Sequence, residues 1–578
     1  MRNQHALRRR HRYFTSASLC FGQRRFLFRR IVFTLAVSAK SSVAFIALAV
    51  SLLAGASAPL APLFDPDEGY YPATAAETLR SGTFWDLSFN GEPRWEKPIL
   101  SYALIEASFV AFGQSATAAR IPSAIEAGLL ILIVGALVGR LAGDRAAVVS
   151  ALTVGTTLGI SIFSRAAHPE LAVVVCVIAT ELLICVWLSI SDSRVQRRVA
   201  IAAGVAMGLG LLAKGPVAVA LPLLTFLCMS PLIRWDADRV RSLVRDASLS
   251  AGIAIVLASP WFLAMTVRHG GEFVREAIWQ QNVGRYATAA FGHRSGMFAL
   301  VPPVLIGLFP WVLFLPQTLA RVTRPRGRPR EVLRTGMSTG ALVALVFYSL
   351  SSSKLASYSL VCVPALAIVV GLWLDEQLDR PSEPRPRLQV LAVLGVLATA
   401  LLSAPLWLGK VVSARQLFGA MRPQSADVSG LVAPVTIALG CLMACSLVPF
   451  ALTRRVKTHI AALACVGALA PVFVLAIARP LLHEMYPWDI LGRAIEPGHG
   501  RAWVLARRAP SLTFYSQQQV TTVPDRATLA EHIVREHEGW IALTRDDWTV
   551  LSETPVLKNV RMVVVAEHGR ILVVHFMS

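Results

Sequence analysis

About 13 apolar runs, most approaching the ~20 residues that carry a helix across a bilayer, set the terms for this chain. They fall at roughly 31–56, 119–139, 145–163, 169–190, 198–213, 215–233, 247–267, 297–318, 337–351, 358–374, 388–408, 430–452 and 458–479. Of 578 residues, 55% are hydrophobic and only 16% charged, so one water-soluble core cannot house them. The chain reads as a polytopic α-helical membrane protein. Its first run follows an Arg-rich tail, residues 1–30, and is too long for a cleaved signal. It is expected to remain as the first span.

Charge gives the spans an orientation. The net charge is +21, nearly all of it arginine. These residues are parcelled out between apolar runs, which fits orientation signals and argues against nucleic-acid binding. The tail carries Arg8, Arg9, Arg10, Arg24, Arg25, Arg29 and Arg30. Every second loop is then basic: Arg140 and Arg145, Arg194 to Arg198, Arg234 to Arg245, Arg321 to Arg334, Arg380 to Arg387, and Arg454 to Lys457. That set is expected on the cytoplasmic side. The opposite, outer face of the cell membrane then holds loop 57–118, the turns near Arg165 and Lys214, segment 268–296, the Lys354 turn, loop 409–429 and the C-terminal tail.

From about Tyr486 the composition changes. Residues 502–506, 520–523 and 540–544 read as strands, 525–537 as a helix capped by Asp525, and 562–566 with 571–576 as a hairpin. A small extracytoplasmic α/β domain over 485–578 is expected beside a membrane domain over 31–484. It has neither a Gly-rich phosphate loop nor a catalytic triad, and reads as a lid or docking module. Seven of the eight cysteines lie in apolar stretches, and no Cys-x-x-Cys pair occurs. Neither zinc nor a disulfide scaffold is supported.

Polar chemistry gathers on the outer face. Asp67 and Glu68 lie in Asp65-Pro66-Asp67-Glu68-Gly69-Tyr70-Tyr71, directly after the first span. A carboxylate there suits a general base for an acceptor hydroxyl; the competing reading is a solvated loop acid or a helix cap for 70–79. Lys97, in Glu96-Lys97-Pro98, is a point charge suited to phosphate, or else half of a surface ion pair. Segment 279–286, with Gly292-His293-Arg294, is amphipathic and rich in aromatic and cationic groups. Lys354 and Tyr358 share one turn between spans. Three of the chain's seven lysines, Lys97, Lys214 and Lys354, sit at outer helix junctions. An anionic ligand at this face follows, and a lipid phosphate fits because the spans give its tail somewhere to lie.

These motifs carry a family resemblance. Asp-Glu-Gly-Tyr-Tyr at 67–71, Ser81-Gly82, Asn90-Gly91, Glu96-Lys97-Pro98, Ala119-Arg120-Ile121-Pro122-Ser123, Lys214-Gly215-Pro216, Asn282-Val283-Gly284-Arg285-Tyr286 and Ser353-Lys354-Leu355 stand in the order found in lipid-linked sugar transferases of the GT-C superfold. The chain resembles the aminoarabinose transferases that modify lipid A and the protein-O-mannosyltransferase-like enzymes. The resemblance implies inverting transfer from a polyprenyl-phosphate sugar at the outer face to a glycolipid, envelope glycan or protein. By the same resemblance Asp67 is the acceptor-activating base, with Glu68 beside it, and Glu170 stands where a second acid is usual, as aspartate. Lys97, Arg285, Lys354 and Tyr358 are then donor-phosphate contacts. The turn departs from the common Ser-Lys-Leu-Pro-His-Tyr by having Ala356-Ser357 before Tyr358. No metal site is assigned; Glu96 and His293 are two groups with ligating atoms and leave a divalent metal open. The competing class is a transporter or flippase of lipid-linked sugars, which mid-span charges and inverted repeats would mark. Only Glu126 and Glu181 point that way.

Overall fold

The computed structural model describes residues 38–284, 286, 296–322, 325, 327–378, 384–411 and 428–577. The basic tail, Arg285, His293 and Arg294, and most of loop 409–429 lie outside them. All thirteen apolar runs of the sequence are helical within the described residues. Ten helices are long and apolar enough to cross a membrane, or eleven when the bent pair Val301–Gly307 and Trp311–Leu319 counts as one span. The other two runs are shorter than the expected spans. One divides into Asp144–Gly155 and Leu158–Phe163, parted at Thr156 and Thr157, where Thr157 caps the second piece. The other is the short stretch Val217–Leu232.

The elements that position the site are α1 (Ala39–Ser57), α2 (Asp67–Ser81), α3 (Leu100–Phe112), α4 (Ala116–Ala142), α5 (Glu170–Ser189), α6 (Ser193–Lys214), α7 (Val217–Met229), α8 (Ala237–Phe273), α9 (Pro329–Leu350), α10 (Cys362–Gln377) and α11 (Val456–Met485). α5 and α10 are buried nearly all round, so they read as uninterrupted apolar runs, and they form the middle of the bundle. α1 and α8 keep apolar side chains such as Phe45, Leu52, Ile255 and Leu263 exposed, where acyl chains would cover them.

The alternation of loops is visible in space. Arg145, Arg321, Arg330 and Arg334 come from two basic loops far apart in sequence, and all converge on Asp375 and Glu376 at the end of α10. At the other end of the bundle loop 57–118 meets the turns at 165–170, 214–216 and 351–358. That loop holds α2, α3 and a two-stranded hairpin, β1 (Ser88–Phe89) and β2 (Glu92–Pro93). Asn90 and Gly91 form its turn with φ of 55° and 80°, the left-handed pair that an Asn-Gly turn supplies.

The C-terminal unit is a five-stranded sheet in the order β4-β3-β5-β7-β6. Its strands are β3 (Arg501–Leu505), β4 (Val520–Val523), β5 (Glu538–Thr544), β6 (Arg561–His568) and β7 (Ile571–Met577). β3 pairs in parallel with β4 and β5, while β5, β7 and β6 are antiparallel. Alternation along β3 sends Val504 to one core with Trp488 and Leu512, and Trp503 to the other with Leu529 and Phe576. Asp525 caps the helix Arg526–Arg535 by accepting from Thr528 N at 2.9 Å, as expected. The short helices α12 (Pro510–Ser516) and Arg545–Ser552 were not foreseen.

This unit is fastened to loop 57–118. The Asn90 amide brackets Val520, donating to its carbonyl at 2.8 Å and accepting from its N–H at 3.1 Å. Phe109 stacks on Phe514 at 5.9 Å, and Arg80 donates to the Gln517 carbonyl at 3.0 Å. Asp65 accepts from Ser511 N at 3.0 Å and from Ser511 Oγ at 2.5 Å.

Candidate active site

Asp67 opens the first turn of α2 and is exposed. The cap position belongs to Pro66, so the capping reading fails: Asp67 accepts no hydrogen bond from any described residue. Its neighbour Glu68 turns the other way. It is 4% exposed and receives both arms of the buried Arg120 guanidinium, at 2.7 and 2.8 Å. Phe64 N and Ala167 N complete its contacts at 2.9 Å each. Arg120 spends its remaining donors on the carbonyls of Ala58, Ala61 and Pro62. Both Glu68 oxygens are thus engaged by the guanidinium and by backbone N–H groups. The residue ties the end of α1, the start of α2 and the 165–168 turn into one block.

Glu170 begins α5 and is buried. Its Oε2 takes the Lys214 ammonium at 2.5 Å, and its Oε1 accepts from Ser357 Oγ at 3.0 Å. The expected catalytic acid is thus the counter-ion that holds Lys214 at the end of α6. Gly215 follows with φ of 82°, and a Cβ there would press on Asn282 at 3.1 Å. This tight turn lets the 274–284 segment close over the lysine. Lys214 Nζ also stands 4.7 Å from the Tyr358 ring centroid, and Tyr358 stacks on Tyr348 at 4.7 Å.

Lys97, Lys214, Tyr348, Tyr358, Asn282 and Tyr286 line one cavity of about 500 Å³, whose other walls are mainly apolar, among them Trp261, Phe262 and Ile278. Lys97 donates to the Glu96 carbonyl at 2.9 Å, and the Glu96 carboxylate pairs with Arg94 at 3.2 Å. Lys354 is the exception among the expected phosphate contacts. It stands beside the wall and donates to the carbonyl of Ser351, a lining residue, at 2.7 Å. Lys214, noted in the sequence only as a third junction lysine, takes its place. Arg285 and His293 fall outside the described residues.

His168 is the residue that sequence reasoning passed over. Its ring lies between Tyr71 and Phe163, and its buried Nδ1 has no hydrogen-bond partner. Burial lowers its pKa, partly offset by Glu170; Lys214, Asp67 and Lys97 also act on it. The same imidazole therefore feels the exposed acid, the second acid and both cavity lysines. Its place two residues before Glu170 is the signal that could have found it.

Fold and site together define a GT-C type multi-span membrane protein with a small C-terminal sheet domain, as the motifs implied. The crystal structure of ArnT from Cupriavidus metallidurans bound to undecaprenyl phosphate has the same fold, with a TM-score of 0.74 over 92% of this chain and 97% of that one, at 23% identity. Residues 96–263 match the family described as dolichyl-phosphate-mannose-protein mannosyltransferase. The chain is 29% identical over 325 residues to the undecaprenyl phosphate-alpha-4-amino-4-deoxy-L-arabinose arabinosyl transferase 1 of Pseudomonas fluorescens Pf0-1, covering 55% of this chain and 56% of that relative. A second such transferase, from P. fluorescens Pf-5, is 30% identical over 58% of this chain and 59% of its own length. The chain thus matches a little over half the length of these curated relatives.

Proposed function

We propose that this protein is an inverting glycosyltransferase that moves a sugar from a polyprenyl-phosphate carrier to an acceptor at the outer membrane face. One observation carries the reading: Lys97, Lys214 and Tyr358, from three distant segments, meet in one largely apolar cavity, and Asp67 is an exposed acid with no hydrogen-bond partner among the described residues. Two ammonium groups suit a phosphate, and the apolar walls suit the isoprenoid that bears it. The relatives' 4-amino-4-deoxy-L-arabinose is the first sugar to test. The basic tail then lies in the cytoplasm, with loop 57–118 and the sheet domain outside.

In this mechanism Asp67 takes the proton of the acceptor hydroxyl as its oxygen attacks the anomeric carbon. The bond from that carbon to the phosphate oxygen breaks with inversion, and the electron pair leaves on the polyprenyl phosphate. Lys97 and Lys214 stabilise that charge, and Asp67 returns its proton to water. Glu170 and Ser357 keep Lys214 aimed. Replacing Asp67 by Asn is expected to cut transfer by about 10²- to 10⁴-fold, with an unchanged melting temperature and unchanged retention of undecaprenyl phosphate. Turnover at the wild-type rate in that variant would defeat the assignment.

A further inference from the structure

The two lysines of the donor cavity cannot by themselves tell substrate from product. In the donor the phosphate is a diester with a single negative charge; once the sugar has left it is a monoester, with about two at neutral pH. Lys97 and Lys214 therefore hold the spent carrier more tightly than the sugar-bearing one. Turnover calls for a contact that only the sugar-bearing lipid can make.

His168 stands where such a contact would form. It lies in the turn between the helix Leu158–Phe163 and α5, and both flanks of that turn are bonded to the site. On one flank Ala167 N donates to Glu68 Oε1 at 2.9 Å, which fixes the turn against the start of α2 beside Asp67. On the other, Glu170 pairs with Lys214 and accepts from Ser357 Oγ at 3.0 Å. The imidazole is thereby set between the acid that takes the acceptor proton and the cation that holds the phosphate. The transferred sugar belongs in that gap, since its anomeric carbon is attacked from the Asp67 side and parts from the phosphate side.

The ring is held, but its hydrogen-bonding capacity is not spent. It packs edge-to-face with Tyr71 at 5.3 Å and with Phe163 at 5.8 Å. Tyr71 follows Asp67 by four residues, on the same face of α2, and is itself buried against Tyr102. A histidine packed only for its ring could be phenylalanine here. Instead Nδ1 is buried with no hydrogen-bond partner among the described residues, while the residue as a whole is half-buried. An unmade bond of this kind is costly until a ligand or water completes it. Burial lowers the pKa, with Lys214 and Lys97 adding to the shift and Glu170 and Asp67 opposing it. A neutral imidazole offers one N–H and one lone pair, which suit a hydroxyl or amino group on a sugar ring.

We propose that His168 is a specificity-determining residue: it hydrogen-bonds a hydroxyl or amino group of the donor's sugar, and so favours the sugar-bearing carrier over the spent one. This rests on the transferase reading and adds to it the group that separates substrate from product. The contact is lost when the sugar moves to the acceptor, and the carrier is then held by its phosphate and tail alone.

The test uses the full chain in phosphatidylcholine nanodiscs, with retained lipid read by native mass spectrometry. The probes, supplied together, are undecaprenyl phosphate and undecaprenyl phosphate-alpha-4-amino-4-deoxy-L-arabinose. His168→Phe keeps a ring against Tyr71 and Phe163 and removes both nitrogens. It is expected to lower the ratio of sugar-bearing to bare lipid about tenfold, with undecaprenyl phosphate retained as in wild type. His168→Asn, whose amide falls near the place of Nδ1, is expected to recover part of that ratio. In turnover His168→Phe is expected to raise KM for the donor about tenfold while inhibition by undecaprenyl phosphate stays as in wild type. An unchanged ratio in His168→Phe overturns the proposal. Parallel loss of both lipids in the Phe and Asn variants also overturns it, because His168 would then serve packing alone. A wild type that retains neither lipid would instead count against the transferase reading.

Discussion

Two buried acid–base pairs stand at the same end of this bundle, and they are built for different ends. Arg120 and Glu68 are closed: both side chains are almost fully buried, and each is further bonded to backbone groups of neighbouring segments. Lys214 and Glu170 are buried as deeply, at 8% and 3% side-chain exposure, but Lys214 also lines a cavity and faces the Tyr358 ring. Burial of a charge is costly in either case, so burial alone does not separate scaffold from site. What separates them is whether bonding capacity is left over and whether there is room beside it.

That contrast can be broken at its closed end first. Glu68→Gln leaves Arg120 charged and half-paired in the interior, and breaking such a pair costs about 3–5 kcal/mol. The expected result is a large fall in the yield of monodisperse protein and in melting temperature, while the molecules that do fold keep their transfer rate. A well-folded but inactive Glu68→Gln would instead return Glu68 to the chemistry. The open pair predicts a split. Lys214→Met alone strands Glu170; adding Glu170→Leu is expected to restore the melting temperature but leave undecaprenyl phosphate binding about 10-fold or more below wild type. Recovery of binding in the double variant would make this pair a scaffold too.

The smallest effect concerns Asp65. Burial pushes its carboxyl up to about 7, against the lowering by the Ser511 bonds. A carboxyl raised in the folded state holds its proton more tightly there than in the unfolded chain. Its stabilising share is therefore complete below about pH 4 and lost as pH rises through about 7. The melting temperature of the wild type is expected to fall by a few degrees over that range, and Asp65→Asn to flatten the slope. An identical slope in both proteins would remove Asp65 as the source.

Much of this was readable from residue order because the governing contacts are local. Apolar run length gave the bundle, and short stretches after the change of composition gave β3, β4, β5 and the β6–β7 hairpin. Alternating arginines anticipated that Arg145 and Arg330 would share one end. The motif residues Lys97, Lys214 and Tyr358 do converge on one cavity. Asp67 and Glu68 look alike in sequence, and only the helix start sends one outward and the other toward Arg120. For Lys354 the turn fixes its neighbourhood beside the cavity but not which side chain faces the space. α12 was missed because seven residues are too few to show a helical period.

The bond between Asp65 and Ser511 joins residues 446 positions apart. The earliest large loop of the protein is thus buttoned shut by one of the latest stretches to leave the ribosome. A chain cut short before Pro510 would keep its described membrane helices, both cavity lysines and the Arg120–Glu68 anchor beside Asp67, and would lose the Ser511 cover over Asp65 at the start of α2.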